Sequence, residues 1–356
     1  MKHLLKTSII SGIAASVMMM VASGANAKDI KLTASSSHPP VVPWVAVIKT
    51  HIVPEARKRA KKLGHNIKWT EAYAGALYNF KNTLEGIQDG LGDIGWVGTL
   101  WEPNKLPLQN VTFFSPFVTD STKIATKIQL DMHKNIPAMN KAWSKYNQVF
   151  LGAQTIDDYI LITNFPVKTL ADLKGKKIYG PGAVANWIKG AGAVGVNGGL
   201  PIYYNGIKTG VADGAIIPGT GIVPFKIHEV AKYVTSVGLG GGITGALTMN
   251  KKTFDGLPPE LQKMFKQLGQ EYGALVSAKV DAFKKKSFEI ILPKAGAVVT
   301  TLPLAEQKKW AAAMPDVASQ WVKSTSAKGL PAKQVLKAWM DGARKAGVKP
   351  LRDWDK

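Results

Sequence analysis

Cysteine is absent from all 356 residues. That removes disulfide staples, thiolate nucleophiles and cysteine-bearing metal sites together. Acidic residues are scarce, 24 Asp and Glu against 46 Lys and Arg. The lysines lie singly or in short runs such as "KRAKK" (58–62) and "KKK" (284–286), inside helical patterns that suit a solvated face. Such a surface draws small anions, and no nucleic-acid partner is expected. After residue 27 the histidines are His38, His51, His65, His133 and His228, with no metal-ligand pairing on one face. No P-loop, H-E-x-x-H or G-x-S-x-G motif occurs. Two G-x-G-x-x-G matches, "GAGAVG" (190–195) and "GGGITG" (240–245), lack the strand-then-helix context that a dinucleotide fingerprint needs. They read as turns, the second as a possible hinge. Nothing assembles a nucleophile, a base and an oxyanion hole, so neither a catalytic role nor a cofactor is expected.

Long apolar runs are confined to the start. Lys2 and Lys6 precede an apolar stretch from Ile9 to Val21, and Ala25-Asn26-Ala27 is a small-x-small site. This is the layout of a secretory signal, with cleavage after Ala27 and export to the periplasm. Removing residues 1–27 leaves 329 residues of formal charge +20, a length that suits two domains.

Strand-like and helical patterns then alternate. "DIKLTAS" (29–35), "NIKWTEAY" (66–73), "DIGWVG" (93–98) and "GALTMN" (245–250) read as strands. Residues 42–63, the stretch from Leu77 through Phe80 and Leu84 to Ile87, 303–323 and 331–346 read as helices. A single helical pattern from Pro258 to about Leu292 is longer than one lobe needs and is expected to lie across two. The alternation predicts α/β lobes with mostly parallel sheets. "GIQDGLGDIGWV" from Gly86 and "GIKTGVADGAII" from Gly206 share Gly-Ile-x-x-Gly-x-x-Asp at a separation of 120 residues. Either two ordinary helix-to-strand turns coincide, or two lobes are built alike. In the second case Trp96 and Ile217 face one another across a cleft at the carboxyl ends of strands.

"LYNFKNTLEGIQDGLGDIGW" (77–96), "TLADLKGKKIYGPG" (169–182), "GIKTGVADGAIIPG" (206–219) and "LPPELQKMF" (257–265), in this order, resemble the solute-binding proteins of tripartite ATP-independent periplasmic (TRAP) transporters. The resemblance covers nearly the whole mature chain. It implies a two-lobed α/β periplasmic binding protein, type II-like, with an interlobe cleft and a long helix spanning both lobes. The expected division is 28–156 plus 243–282 for lobe I and 157–242 plus 283–356 for lobe II. The resemblance also implies one small-molecule solute, delivered by a monomeric receptor to the membrane permease subunits. The alternatives are a ligand-sensing subunit of a signalling kinase and a periplasmic enzyme.

The strand after D-L-K-G-x-K in this family usually delivers an arginine to the solute's carboxylate; here the residue is Tyr179. A second arginine of some members falls at Tyr159, and the polar residue after V-D-G at Ile217. Losing a bidentate charge-assisted pair argues against a simple C4-dicarboxylate. The expected ligand-binding set is Tyr179, Tyr159, Trp96, Trp187, Phe80, Ile217 and His38, around a less charged solute such as an aromatic or branched organic acid. Each aromatic side chain could instead pack a core, and His38 could serve a structural turn. Trp44, Trp69 and Trp101 are assigned mainly to packing, and Lys81, Lys174, Lys176 and Lys177 to solvent.

Overall fold

The computed structural model describes residues 29–356, so the signal segment expected at 1–27 lies outside the described residues. Eleven strands form two sheets: β1 Asp29–Ser35, β2 Asn66–Ala72, β3 Ile94–Gly98, β4 Gln148–Ile156, β5 Tyr159–Thr163, β6 Lys177–Gly180, β7 Val194–Asn197, β8 Gly214–Pro218, β9 Tyr233–Ser236, β10 Gly242–Asn250 and β11 Val298–Thr301. Their orders are β2-β1-β3-β10-β4 and β11-β9-β5-β8-β6-β7.

The sheets are mixed, where mostly parallel ones were expected. In the first, only β10 runs antiparallel to both its neighbours, and in the second β5 does. The cause is the chain path. Asp157-Asp158 carries β4 directly into β5, and residues 237–241 carry β9 into β10, so each crossing inserts one reversed strand. The two crossings are bonded side by side, the Tyr159 N–H donating to Gly240 O at 3.0 Å.

The long helix Pro259–Lys286 is continuous with a π turn, Ser287–Ile291, and a last turn, Leu292–Lys294. At 1.5 Å per residue its regular part alone spans about 42 Å. Near its middle it meets β4 through paired glycines, where a Cβ on Gly152 would stand 2.0 Å from Gly269 O. Farther on, Lys284 pairs with Asp158 and Phe288 packs on Gly219, so one helix touches both lobes. The stretch 43–62 is likewise one helical run interrupted by a π turn, Ile48–Ile52. Both π turns end two residues before a proline, ahead of Val53-Pro54 and Leu292-Pro293. Proline cannot donate to the carbonyl four residues back and its ring collides with it, so widening the preceding turn relieves both problems.

Three expected elements differ. The helix through Leu77 forms only at Thr83–Gln88. Ala74 and Gly75 adopt positive φ, turning the chain so that Leu77 is exposed while Tyr78 enters the core. The stretch 303–323 is two helices, Leu304–Ala313 and Val317–Ser326, broken at Pro315. The last two helices also leave the lobe expected for them. Trp321 donates to Pro107 O, and Gly342 lies against Ile128 in the helix Thr122–Asn135.

Candidate functional site

The echoed segments are built alike residue by residue. Residues 91–100 and 211–220 have the same order of turn, five-residue strand and 3-10 turn, and the same burial at every position. Gly90 and Gly210 close the preceding helices at φ 77° and 76°, the left-handed geometry that glycine supplies without strain. The Asp93 N–H donates to Thr33 O at 2.9 Å while its carboxylate accepts from the Thr33 N–H at 2.7 Å. The Asp213 N–H donates to Lys177 O at 2.7 Å while its carboxylate accepts from the Lys177 N–H at 2.8 Å. Each aspartate thus clamps the neighbouring parallel strand, β1 in one lobe and β6 in the other, and fixes where β3 and β8 begin.

A cavity lies where the carboxyl ends of these two strands meet. Lobe I contributes His38, Trp44, Trp96, Leu100, Trp101, Gln154, Ile156 and Thr244. Lobe II contributes Tyr159, Pro181, Leu200, Tyr203, Ile217 and Pro218. The space open to the centre of a water-sized sphere is about 40 Å³, against roughly 10–15 Å³ for one water on that measure. No lysine or arginine is among the lining residues. A larger groove, about 580 Å³ on the same measure, runs along the crossings past Asp158, Gly240 and Lys284. It is wider and more polar, and lacks the ring of aromatic walls.

Glycines make room for the aromatic floor. Gly98 and Gly245 face one another across β3 and β10. A Cβ on Gly98 would reach the Trp101 ring at 2.5 Å, and one on Gly245 the Trp96 Nε1 at 2.4 Å. His38 sits among these rings, edge-on to Trp96 at 5.1 Å and stacked on Trp101 at 6.1 Å. Its Nδ1 is 2.9 Å from the Ser37 hydroxyl. Burial lowers its pKa to about 4, so the imidazole is neutral near pH 7. The Trp96 indole N–H donates to Gln154 Oε1 at 2.9 Å, an oxygen that also accepts from the Thr244 hydroxyl at 2.5 Å. Across the cavity, burial drives the Tyr159 phenol well above its usual pKa, with the Asp157 charge adding to the shift. Asp157 itself is raised to about 7, chiefly by burial and then by Asp158, while its carboxylate accepts from the Thr220 N–H and hydroxyl at 3.0 and 2.7 Å.

The mouth is crossed in both directions. Phe225 comes from lobe II to 6.2 Å from His38. Phe80 comes from lobe I to 5.2 Å from Trp101, close enough to Gly199 that a Cβ there would stand 2.9 Å from its ring.

Of the expected contact residues, His38, Trp96, Tyr159 and Ile217 line the cavity; Tyr179, Trp187 and Phe80 do not. Tyr179 turns onto the helix Leu200–Lys208, stacking on Tyr203 at 4.8 Å, and a Cβ on Gly206 would stand 2.1 Å from its hydroxyl. It backs the Tyr203 ring instead of forming the wall. Trp187 braces Tyr159 edge-on at 5.1 Å and donates to Phe113 O at 2.7 Å. Trp44 and Trp101, assigned to packing on sequence, line the cavity, and so does Tyr203, which was not singled out. The faint signal for Tyr203 was the glycine pair Gly198-Gly199 opening a helix. For Trp101 it was a second tryptophan within a few residues of a buried strand. Lys174 and Lys177 are exposed as expected, and Lys176 covers the Phe165 ring at 4.6 Å.

Among the described residues no group of three or more His, Asp or Glu is placed to hold a metal ion, and no helix is long and apolar enough to cross a membrane.

Comparison with known proteins bears on this geometry. Residues 56–325 match the family described as "DctP: Bacterial extracellular solute-binding protein, family 7". A protein described as "Solute-binding protein" from Albidiferax ferrireducens is 34% identical over 155 residues, 41% of this chain and 44% of that relative, so less than half of the relative's length is matched. A TRAP solute-binding protein from Citrobacter koseri, crystallised with bound D-glucuronate, is 25% identical with a TM-score of 0.74, covering 88% of this chain and 99% of its own. One from Rhodoferax ferrireducens, crystallised with copurified benzoate, is 21% identical with a TM-score of 0.76, covering 89% and 98%. A marine-metagenome protein from an unidentified microbe, specific for aromatic acids and crystallised with 3-hydroxybenzoate, has the same identity, TM-score and coverage. The chain belongs to extracellular solute-binding protein family 7, and is a periplasmic, non-catalytic solute-binding receptor of the TRAP class.

Proposed function

We propose that this receptor captures a small organic acid that is mostly apolar, such as an aromatic or branched monocarboxylate, and hands it to TRAP membrane permease subunits for uptake. The observation that carries the reading is a cavity between the lobes with five aromatic side chains besides His38 and no cationic side chain in its wall. Leu100, Ile156, Leu200 and Ile217 complete an apolar lining. A second carboxylate or a sugar's hydroxyls would be buried there without partners, at about 1–3 kcal/mol for each unmet polar group. An aromatic ring instead gains burial and edge or offset contacts. The relatives that hold benzoate and 3-hydroxybenzoate support this class; the one that holds D-glucuronate has a ligand whose hydroxyls this wall does not answer.

Thermal-shift titration of the mature receptor tests the reading, since a ligand that binds the folded state raises Tm by mass action. Benzoate, 3-hydroxybenzoate and 4-methylpentanoate are expected to raise Tm more than succinate or D-glucuronate at equal concentration. The reverse order overturns the proposed class.

A further inference from the structure

We infer that Trp44 and Trp101 are specificity-determining residues that hold the solute's oxygen through their indole N–H groups, with no counter-charge. The inference rests on the solute class proposed above and names how its polar end is recognised. Most polar groups of the cavity are already engaged. The Trp96 N–H and the Thr244 hydroxyl both serve Gln154 Oε1, and Gln154 Nε2 donates to Thr155 O at 3.1 Å. The Tyr203 hydroxyl donates to Gly198 O at 3.3 Å. By contrast, the indole nitrogens of Trp44 and Trp101 are buried with no hydrogen-bond partner.

An indole nitrogen can only donate, and nearly all buried donors in folded proteins are paired. Trp69 and Trp339 also have unpartnered indole nitrogens, but neither lines the cavity. Among the tryptophans, the combination of an orphaned donor and a place in the cavity wall sets Trp44 and Trp101 apart. The benzo edge of Trp101 lies over Gly98, which turns its N–H edge away from that glycine. The Trp44 backbone is fixed by the Tyr272 hydroxyl of the long helix, which donates to Trp44 O at 3.1 Å. Both donors belong to lobe I, so an oxygen can be held before lobe II closes and brings up Tyr159. Recognition by neutral donors asks for an acceptor, not for a negative charge. A neutral amide of the same shape therefore satisfies the site as a carboxylate does.

The test is calorimetry on the mature receptor with benzoate and benzamide, run in two buffers of different protonation enthalpy. Both probes are expected to bind within about tenfold of one another, without proton uptake. Trp44→Phe and Trp101→Phe, which keep the ring and delete the N–H, are each expected to weaken both probes about five- to tenfold. Trp339→Phe is expected to leave affinity unchanged. Where a variant fails to fold, ¹⁵N-indole spectra of the parent give the readout: benzoate should shift the side-chain resonances of Trp44 and Trp101 and leave Trp339 in place. Unchanged affinity in both variants, or unmoved resonances, overturns the assignment. So does benzamide binding a hundredfold more weakly than benzoate, and so does uptake of one proton, which would show that the anion is not held by neutral donors alone. If the parent binds only succinate or D-glucuronate, the solute class itself fails, a result separate from these.

Discussion

Lobe I and lobe II repeat one backbone device and fill it with different chemistry. Gly86 and Gly206 each receive a tyrosine against a helix, Tyr78 in one lobe and Tyr179 in the other. Gly90 and Gly210 turn the chain, and Asp93 and Asp213 clamp a strand. Beyond the aspartates the likeness stops. The first residue of each strand to reach the cavity is Trp96, three past Asp93, but Ile217, four past Asp213. Lobe I supplies His38 and three indoles, whereas lobe II supplies two phenols among prolines and aliphatic side chains. What recurs is what places the strand ends, and what varies is what the solute touches.

Breaking the glycine position should have the largest effect. A Cβ on Gly86 would lie 2.1 Å from Tyr78 Cδ1, and one on Gly206 2.1 Å from the Tyr179 hydroxyl. Gly86→Ala and Gly206→Ala are each expected to lose about 2–3 kcal/mol in urea unfolding. Tyr179→Phe should restore part of the loss in Gly206→Ala, because it removes the closest atom. No comparable rescue exists for Gly86→Ala, whose clash is with the ring itself. The aspartates come next. Asp93 also accepts from the Thr253 hydroxyl at 2.7 Å, which Asp213 does not match. Asp93→Ala should therefore cost about 2 kcal/mol and Asp213→Ala about 1 kcal/mol; equal losses would show that the extra bond contributes nothing.

The smallest effect concerns Asp157, which caps the 3-10 turn of lobe II through Thr220, while the matching turn of lobe I leaves the Thr99 hydroxyl unpartnered. Its pKa is raised to about 7 in the fold from about 3.9 when unfolded, so the folded state holds the extra proton between those values. Stability from this group is fully present at low pH and is lost as pH rises through 7. His38 and His133, both lowered to about 4 by burial, act oppositely: their contribution is present above about 6.5 and is lost as pH falls toward 4. Between pH 6.5 and 8 the two histidines still add stability as their unfolded forms lose protons, so Asp157 is read by difference. The urea-unfolding stability of the parent minus that of Asp157→Asn should decline by about 1 kcal/mol across this window.

The parts of the fold written in local patterns were legible in the sequence. β1 occupies Asp29–Ser35 as its alternation predicted, and the long helical pattern from Pro258 is one helical run. Helix limits failed where backbone conformation overrode spacing, at Ala74-Gly75 and at Pro315. The site was half legible. Trp96, Ile217, His38 and Tyr159 follow from strand ends, which topology brings to one place. Tyr179 sits on the expected strand, but the bare faces of Gly198 and Gly206 admit its ring to the helix. Trp44 and Trp101 belong to a helix start and a 3-10 turn, where no periodicity marks a direction. Their place in the wall comes from long-range packing, which single letters do not encode.

The bond from Tyr159 N–H to Gly240 O has a mechanical consequence. Two strips of chain pinned together behave as one axle, so the halves can swing but cannot slide past one another. Capture is then expected to follow a single angular coordinate. Scattering from a partly saturated sample should decompose into two shapes, with no continuum between them.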